Sequence, residues 1–258
     1  EEFEEKPMEH MYELYVKLHD KADEEDKEKA REWSKKIEEG DEEARRIWKM
    51  FREATIEHNE KEYERMGIQF DRVTGESTVA EEAQEIIEEG LEKNIFEEDE
   101  DGSIFVEFEE EEFPSTIVKR SDGSTLYLSR DIANIRKREK EGFDENLYVV
   151  ASEQDLHFKQ LFKIAKEFGV TDIQNEHISY GMLHLEEGSM SSSKGNIIRL
   201  SELMDKAAEK ASEIDGRDVD NSEEVGIGAI KYANLSVSRN KDIEFSWDSV
   251  LSFEGDSG

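Results

Sequence analysis

The sequence predicts an α/β domain built on a doubly wound, largely parallel sheet, with a helical part at its N-terminal end. The second half of the 258-residue chain alternates apolar runs with amphipathic stretches, which is typical of strand–helix–strand units. The most apolar run, residues 147–151, has the continuous hydrophobicity of a strand buried in a parallel sheet. Ligands bind at the carboxyl ends of strands in such sheets, so the residues after each run become candidate site residues.

The sequence of the N-terminal part, residues 3–66, predicts amphipathic helices with solvated acidic faces. We expect no catalytic role for them. Apolar side chains recur at helical spacing within residues 8–19 and within residues 47–56, and a highly charged stretch separates them. Gly40 breaks the pattern, and Asp41 is a suitable cap for the helix that follows.

The rest of the chain predicts a small mixed segment and then the α/β half. In the mixed segment, Ile104, Val106 and Phe108 alternate as expected in a strand. In chain order we predict a strand at 67–73, a helix at 79–94, the strand around 104–108, a strand at 117–119, a hairpin turn at 121–124, a strand at 126–128, a helix at 131–140, a strand at 147–151, a helix at 156–168, a strand at 178–185 and helices at 200–211 and 226–233.

The chain is strongly acidic, with 68 acidic against 34 basic residues and a formal net charge of −34. An acidic surface normally repels nucleic acid, because affinity for RNA comes largely from lysine and arginine on phosphates. Alternatively, the acid excess is an adaptation to molar salt, where the Debye length falls to about 3 Å. We favour a folded, halophilic protein, because the acidity is spread along the chain and the apolar periodicity is retained.

Two absences narrow the class of protein. The sequence has no cysteine, which excludes disulfides, thiolate metal sites and cysteine nucleophiles. No apolar run approaches about 18 residues, which excludes a transmembrane helix. We therefore expect a cytoplasmic protein with no membrane partner.

The loop at residues 188–198 is the most informative segment. Its serine hydroxyls and backbone N–H groups can donate to phosphate oxygens, Lys194 adds a positive charge, and Gly195 lets the backbone approach closely. Its spacing is neither that of a P-loop nor that of a dinucleotide fingerprint. A flexible glycine–serine linker is the alternative, and Lys194 with a helix soon after it argues against that interpretation.

A phenol and a carboxylate, Tyr127 and Asp131, lie four residues apart where a predicted strand becomes a predicted helix. Asp131 could pair with a guanidinium through both oxygens, and Tyr127 could contact the same ligand. In the alternative interpretation, Asp131 only caps the helix and Tyr127 belongs to the core.

A second polar cluster follows the most apolar strand and contains Glu153, Gln154 and His157. Polar residues at the carboxyl end of a strand favour a ligand site. A helix cap at Ser152 or Asp155, with the others on the surface, is the alternative. No pair of residues has the spacing of metal ligands, so we predict no protein-held metal.

Taken in order, seven segments resemble the catalytic domain of archaeal-type arginyl-tRNA synthetases, and the loop resembles the signature loop of class I aminoacyl-tRNA synthetases. Each segment alone is weakly specific, but together they extend over most of the chain. The segments are GIQFD…GES at 67–77, SDGSTLYLSRDIA at 121–133, VVASEQDLHF at 149–158, HISYGM at 177–182, MSSSKGN at 190–196, GIGAIKY at 226–232 and DIEFSWD…SFEG at 242–255.

The resemblance implies a partial Rossmann-like catalytic domain and a division of the chain. The implied parts are a helical part of the catalytic domain at 1–73, a connective insertion at 74–116, the second Rossmann-like half at 117–200 with the signature loop at 188–196, and a helical tRNA-stem-contact region at 201–258.

The resemblance also implies a reaction. Arginine and ATP with its Mg²⁺ form arginyl-adenylate and pyrophosphate, and the arginyl group then passes to tRNA-Arg; we expect a monomer. By position, the implied arginine-binding residues are Tyr127, Asp131 and Gln154; the implied ATP-binding residues are Glu153, His157, Gly181, Met182, Met190 and Lys194; and the implied catalytic residues of the loop are Ser191, Ser193 and Lys194.

The chain departs from the family pattern in two ways. The five signature positions read Ser189-Met190-Ser191-Ser192-Ser193, so both signature lysines are absent, and we hypothesise that Lys194 replaces them. The "HIGH" signature is also absent from these 258 residues. We therefore expect this chain to be a piece of a longer protein, inactive alone, with an anticodon-binding domain after Gly258.

Three alternatives remain open. The first is another class I synthetase, such as a cysteinyl or glutamyl enzyme, although Tyr127 and Asp131 favour a cationic amino acid. The second is a non-catalytic paralogue that binds a nucleotide or a partner protein. The third is a generic acidic α/β nucleotide-binding domain.

Overall fold

The computed structural model describes residues 2–109, 113–185, 188–189, 198–215 and 221–245. Backbone contacts divide the chain into two compact units. The second unit contains Arg72–Met182 together with Arg239–Lys241, and the first contains the residues before Arg72 and the others after Met182.

The first unit opens with helices, as the apolar periodicity predicts. They are α1 (Glu2–Glu5), α2 (Pro7–Lys21), α3 (Glu24–Glu39) and α4 (Glu42–Arg65). Gly40 has a φ angle of 91°, and the carboxylate of Asp41 accepts a hydrogen bond from the Ala44 backbone N–H at 2.9 Å. The predicted break and cap are therefore confirmed.

The solvated faces of these helices pair acids with bases one turn apart. Lys29 lies 2.7 Å from Glu25, and Lys61 lies 2.8 Å from Glu57. All four side chains are mostly exposed, so water and salt screen each pair and it adds little stability. The predicted solvated acidic faces are confirmed.

Two later helices of the first unit, α8 (Leu200–Asp215) and α9 (Ser222–Leu235), pack against each other. Their buried cluster consists of Met204, Ala207, Ile227 and Ile230. Arg65 at the end of α4 donates to Asp205 at 2.7 Å and to Glu223 at 2.8 Å, which ties α4 to both helices.

The first unit also holds a small sheet. Strand β6 (Leu183–Leu185) pairs antiparallel with β7 (Gly188–Ser189) and parallel with β8 (Ile243–Phe245). The predicted strand at 178–185 is thus two strands in two units, because pairing stops at Gly181 and Met182.

The second unit begins with α5 (Ala80–Glu92), which a short 3₁₀ turn at Glu76–Val79 precedes. An antiparallel sheet of β1 (Glu97–Glu98), β2 (Ile104–Val106) and β3 (Thr116–Lys119) follows. The unit continues with α6 (Tyr127–Glu141), β4 (Glu145–Ala151), a 3₁₀ turn (Ser152–Gln154), α7 (Asp155–Glu167) and β5 (Gln174–Tyr180). Strands β4 and β5 are parallel, so β4–α7–β5 is the strand–helix–strand unit that the sequence predicts.

The core of the second unit lies among α5, α6 and α7, where Ile86, Ile132 and Leu161 are fully buried. Arg136 on α6 donates to both carboxylate oxygens of Glu89 on α5, at 2.6 and 3.1 Å. This bidentate bond holds the pKa of Glu89 at about 2 against the opposing effect of burial. Glu89 therefore stays ionised and joins the two helices.

Two predicted strands are wrong. Residues 67–73 form turn and coil, and their apolar side chains Phe70 and Val73 are well exposed, so no strand face is buried there. Residues 126–128 do not form a strand, because α6 begins at Tyr127. Leu128 is instead buried with Ile132 and Ile135, at the spacing of one helix face.

The strand at 147–151 is parallel, as predicted, but only one of its faces is buried. Tyr148 points to Phe158 and Phe162 of α7, with ring centroids 5.0 and 5.6 Å away. Leu147 and Val149 are 55% and 67% exposed, since no described element covers their face. The continuous apolar run therefore correctly predicted a parallel strand. It incorrectly predicted that both faces of this strand are buried.

Candidate active site

The site lies at the carboxyl end of the β4–β5 pair. Ala151 is paired with Tyr180 in the parallel register, so the residues that follow both strands emerge at the same edge. Glu153 and Gln154 lie in the 3₁₀ turn after β4 and are exposed, and Gly181 follows β5. The predicted residues of both strand ends therefore share one edge of the sheet.

Asp131 and His157 are brought into direct contact by helix packing. Asp131 lies on α6 and His157 on the first turns of α7, and the imidazole Nε2 is 2.8 Å from the carboxylate Oδ2. An ionised carboxylate only accepts hydrogen bonds, so Nε2 carries the proton and donates it. Both side chains are about three-quarters buried, which leaves one side of the pair open to a ligand.

Tyr127 is the first residue of α6 and lies one helical turn before Asp131, so the two side chains share a face. Tyr127 is 66% exposed, which excludes the alternative that it belongs to the core. Asp131 lies in the second turn, so it is not a helix cap either. The expected juxtaposition arises within one helix and not at a strand-to-helix junction.

The capping alternative for the second cluster also fails. Neither the 3₁₀ turn nor α7 has a side-chain hydrogen bond at its N-cap, so Ser152 and Asp155 do not cap. Asp155 Oδ1 instead lies 3.2 Å from Nδ1 of His177 on β5, although it accepts no hydrogen bond there. Nε2 of His177 donates to the Val150 carbonyl at 2.9 Å.

Sequence reasoning missed two residues beside this cluster, His177 and Tyr148. His177 stacks on Phe158, with ring centroids 4.3 Å apart. The hydroxyl of Tyr148 accepts a hydrogen bond from Arg138 at 3.0 Å, and burial raises the pKa of Tyr148 to about 12, helped by the charge of Asp131. Tyr148 therefore stays neutral near Asp131. In the sequence, only the position of Tyr148 inside an apolar run could have indicated that it lies beside the site.

The end of β5 is held by a backbone bond. The Gly181 N–H donates to the Arg239 carbonyl at 2.7 Å, which connects this strand end to the turn at 239–241. Gly181 and Met182 are partly buried there. The turn at 239–241 thus supports the strand end.

The predicted loop residues Met190, Ser191, Ser193 and Lys194 lie outside the described residues. Among the residues that are described, no cluster of three histidine or acidic side chains has the arrangement of a metal site. Within the same part of the chain, every helix is too short or too polar to cross a membrane.

Comparison with known proteins identifies the family. A family model described as the catalytic domain of class I tRNA synthetases, type R, matches residues 1–247. The arginine–tRNA ligase of Halothermothrix orenii is 41% identical and that of Clostridioides difficile 38% identical, each over 263 aligned residues that cover 98% of this chain and 46% of the relative. The chain therefore belongs to the class I arginyl-tRNA synthetase family.

Solved structures agree on the fold. An arginyl-tRNA synthetase from Plasmodium falciparum matches 95% of this chain and 46% of its own, with a TM-score of 0.72 at 20% identity. The Thermus thermophilus enzyme matches 94% of this chain and 48% of its own, with a TM-score of 0.63 at 20% identity. The predicted α/β fold of a partial class I synthetase domain is thereby confirmed.

The comparisons also bear on the length of the chain and on its expected archaeal and halophilic character. The chain spans about half the length of the curated relatives that it matches. These relatives are bacterial, so the expected archaeal and halophilic character is not borne out.

Proposed function

We propose that this chain supplies the arginine-holding side of an arginine–tRNA ligase. The observation that supports this most strongly is the Asp131–His157 contact beside the strand ends, in a chain whose family match extends over residues 1–247. A carboxylate with one open side suits a guanidinium, which it can bind through two parallel hydrogen bonds. Tyr127 and Gln154 complete the arginine site.

ATP with its Mg²⁺ binds on the neighbouring side. Glu153 and His157 contact the ribose, and Gly181 and Met182 contact the adenine. In the loop, Met190, Ser191, Ser193 and Lys194 close on the triphosphate, with Lys194 in place of the absent signature lysines. The loop stabilises charge on the leaving pyrophosphate through positioning and electrostatics, without a covalent intermediate.

The partners and organisation follow from the same proposal. The chain acts as a cytoplasmic monomer on tRNA-Arg, and its parts are the helical region 1–73, the insertion 74–116, the catalytic half 117–200 and the stem-contact region 201–258. We expect activity from the complete gene product and none from this chain alone.

Amino-acid-dependent ATP–pyrophosphate exchange tests the proposal. It is measured for all twenty amino acids with tRNA present, on the complete gene product and on this chain alone. We expect exchange with arginine only, and only from the complete product. Folded protein that exchanges with no amino acid would support a non-catalytic paralogue, and exchange with another amino acid would support a different class I synthetase.

A further inference from the structure

We propose that His157 is a positioning residue for the arginine substrate, which it serves by orienting Asp131. This inference rests on the proposed function and adds a role that the family assignment to the ATP ribose does not include. Nε2 of His157 donates to Oδ2 of Asp131 at 2.8 Å across the α6–α7 contact. The carboxylate is thereby fixed in one orientation before any ligand arrives.

The geometry leaves room for arginine on the same carboxylate. Each carboxylate oxygen has two lone pairs, so Asp131 can accept from His157 and still receive two parallel bonds from a guanidinium. Both side chains remain about one-quarter exposed, which provides the open side that this approach needs.

Several neighbouring groups keep the imidazole in place. The ring of Phe158 packs edge-on against His157, with ring centroids 5.4 Å apart and an interplanar angle of 74°. His177 stacks on the same Phe158, and Asp155 lies 3.2 Å from His177. Phe158 thus packs against the imidazole while Nε2 is bonded to Asp131, so less ordering entropy is lost when arginine binds.

Binding measurements with different ligands distinguish the orienting role of His157 from its contact with the nucleotide. A carboxylate turned away from its proper direction weakens the bond to a charged guanidinium more than the bond to citrulline, the neutral isostere of arginine, whose ureido N–H groups form no charge-assisted pair. A lost ribose contact would instead weaken ATP. The affinities for arginine, citrulline and ATP therefore report on different roles of the same residue.

The test uses ATP–pyrophosphate exchange by the complete gene product, for the wild type, His157→Ala and His157→Gln. We expect His157→Ala to raise the KM for arginine about tenfold, which corresponds to one charge-assisted hydrogen bond. The inhibition constant of citrulline should change less than about threefold. The KM for ATP should rise as well, because the proposed ribose contact of His157 is lost with the same side chain. His157→Gln should restore most of the arginine affinity, because its amide nitrogen can donate as Nε2 does.

His184→Ala is the matched control, since Nε2 of His184 lies 3.3 Å from Asp242 in another histidine–aspartate pair. It should leave all three constants unchanged. A higher KM for ATP with an unchanged KM for arginine would overturn the proposal while leaving the proposed function intact. Wild-type protein without arginine-dependent exchange would overturn both. Thermal unfolding of each variant checks that the fold is retained.

Discussion

Gly226 on α9 lies directly against the backbone of Ala207 on α8. A Cβ atom added to Gly226 would lie 2.6 Å from the Ala207 carbonyl carbon and from the next backbone nitrogen. This distance is too short for any side chain, so glycine is what permits the two helices to approach so closely. Gly228, two residues on, has open space around its position.

These two glycines give opposite predictions for alanine. Gly226→Ala should lower the free energy of unfolding by about 1–3 kcal/mol, because the backbone of α8 cannot move aside without strain. Gly228→Ala should raise it by about 0.5–1 kcal/mol, because alanine is the better helix former and meets no neighbour. Urea unfolding of both variants checks the contrast, and equal effects would contradict the packing described here.

The Glu89–Arg136 pair makes stability depend on pH. The pKa of Glu89 falls from its ordinary value of 4.5 to about 2 in the folded protein. A lowered pKa contributes stability above the unfolded value of 4.5, and that stability is lost as the pH falls through about 2. Glu89→Gln should therefore lower the free energy of unfolding by about 1–3 kcal/mol at pH 7.

Measuring the unfolding free energies of the wild type and Glu89→Gln at several pH values provides an internal control for the predicted role of Glu89. The difference between wild type and Glu89→Gln should shrink steadily from pH 4.5 toward pH 2. Glu88→Gln removes the same charge from an exposed position on the same helix, and it should have little effect at any pH. A difference that is constant with pH would mean that the pair does not hold Glu89 ionised.

The net charge of −34 predicts a salt effect on stability. Raising KCl from 0.1 M to 1 M shortens the Debye length from about 10 Å to about 3 Å and weakens self-repulsion. The melting temperature at pH 7.5 should rise by roughly 5–10 °C. Near pH 4.5, the isoelectric point, the same salt step should have almost no effect. Equal salt responses at both pH values would exclude charge repulsion as the cause.

Lys194 is predicted to stabilise the leaving pyrophosphate. Lys194→Ala in the complete gene product should lower the rate of arginine-dependent exchange at least about 100-fold, in the range seen when one preorganised charge is removed. Lys206→Ala removes an exposed lysine that pairs with Glu202 one turn away, and it should be neutral. An unchanged rate in Lys194→Ala would assign the charge to another residue.

Local signals in the sequence predicted most helices of the fold. The cap at Asp41 and the bounds of α5 and α7 depend on neighbouring residues, and the structure has each of them within two residues of the prediction. The predicted strand at 126–128 was wrong because an alternation over only three residues cannot be distinguished from the start of a helix. The predicted burial of Leu147 and Val149 was wrong for another reason. Burial depends on what packs over the face of a strand and not on the strand itself.

The site was predictable in its residue types and not in its contacts. Asp131 and His157 are 26 residues apart, and only the α6–α7 packing brings them to 2.8 Å. The roles of Tyr148 and His177 were hidden because each lies inside a strand, where a core position is the ordinary interpretation. The position of the two strand ends followed from the parallel register alone.

The most direct test of the account is the KM for arginine in Asp131→Asn, measured by ATP–pyrophosphate exchange with the complete gene product. Asparagine keeps the size of the side chain and removes the charge that we propose pairs with the guanidinium. We predict a rise of about 100-fold or more in the KM for arginine, with little change in the KM for ATP. Asp144→Asn, at an exposed position after α6, is the charge-matched control. An unchanged KM for arginine in Asp131→Asn would contradict the assignment of this carboxylate to the substrate, and with it the proposed arginine site.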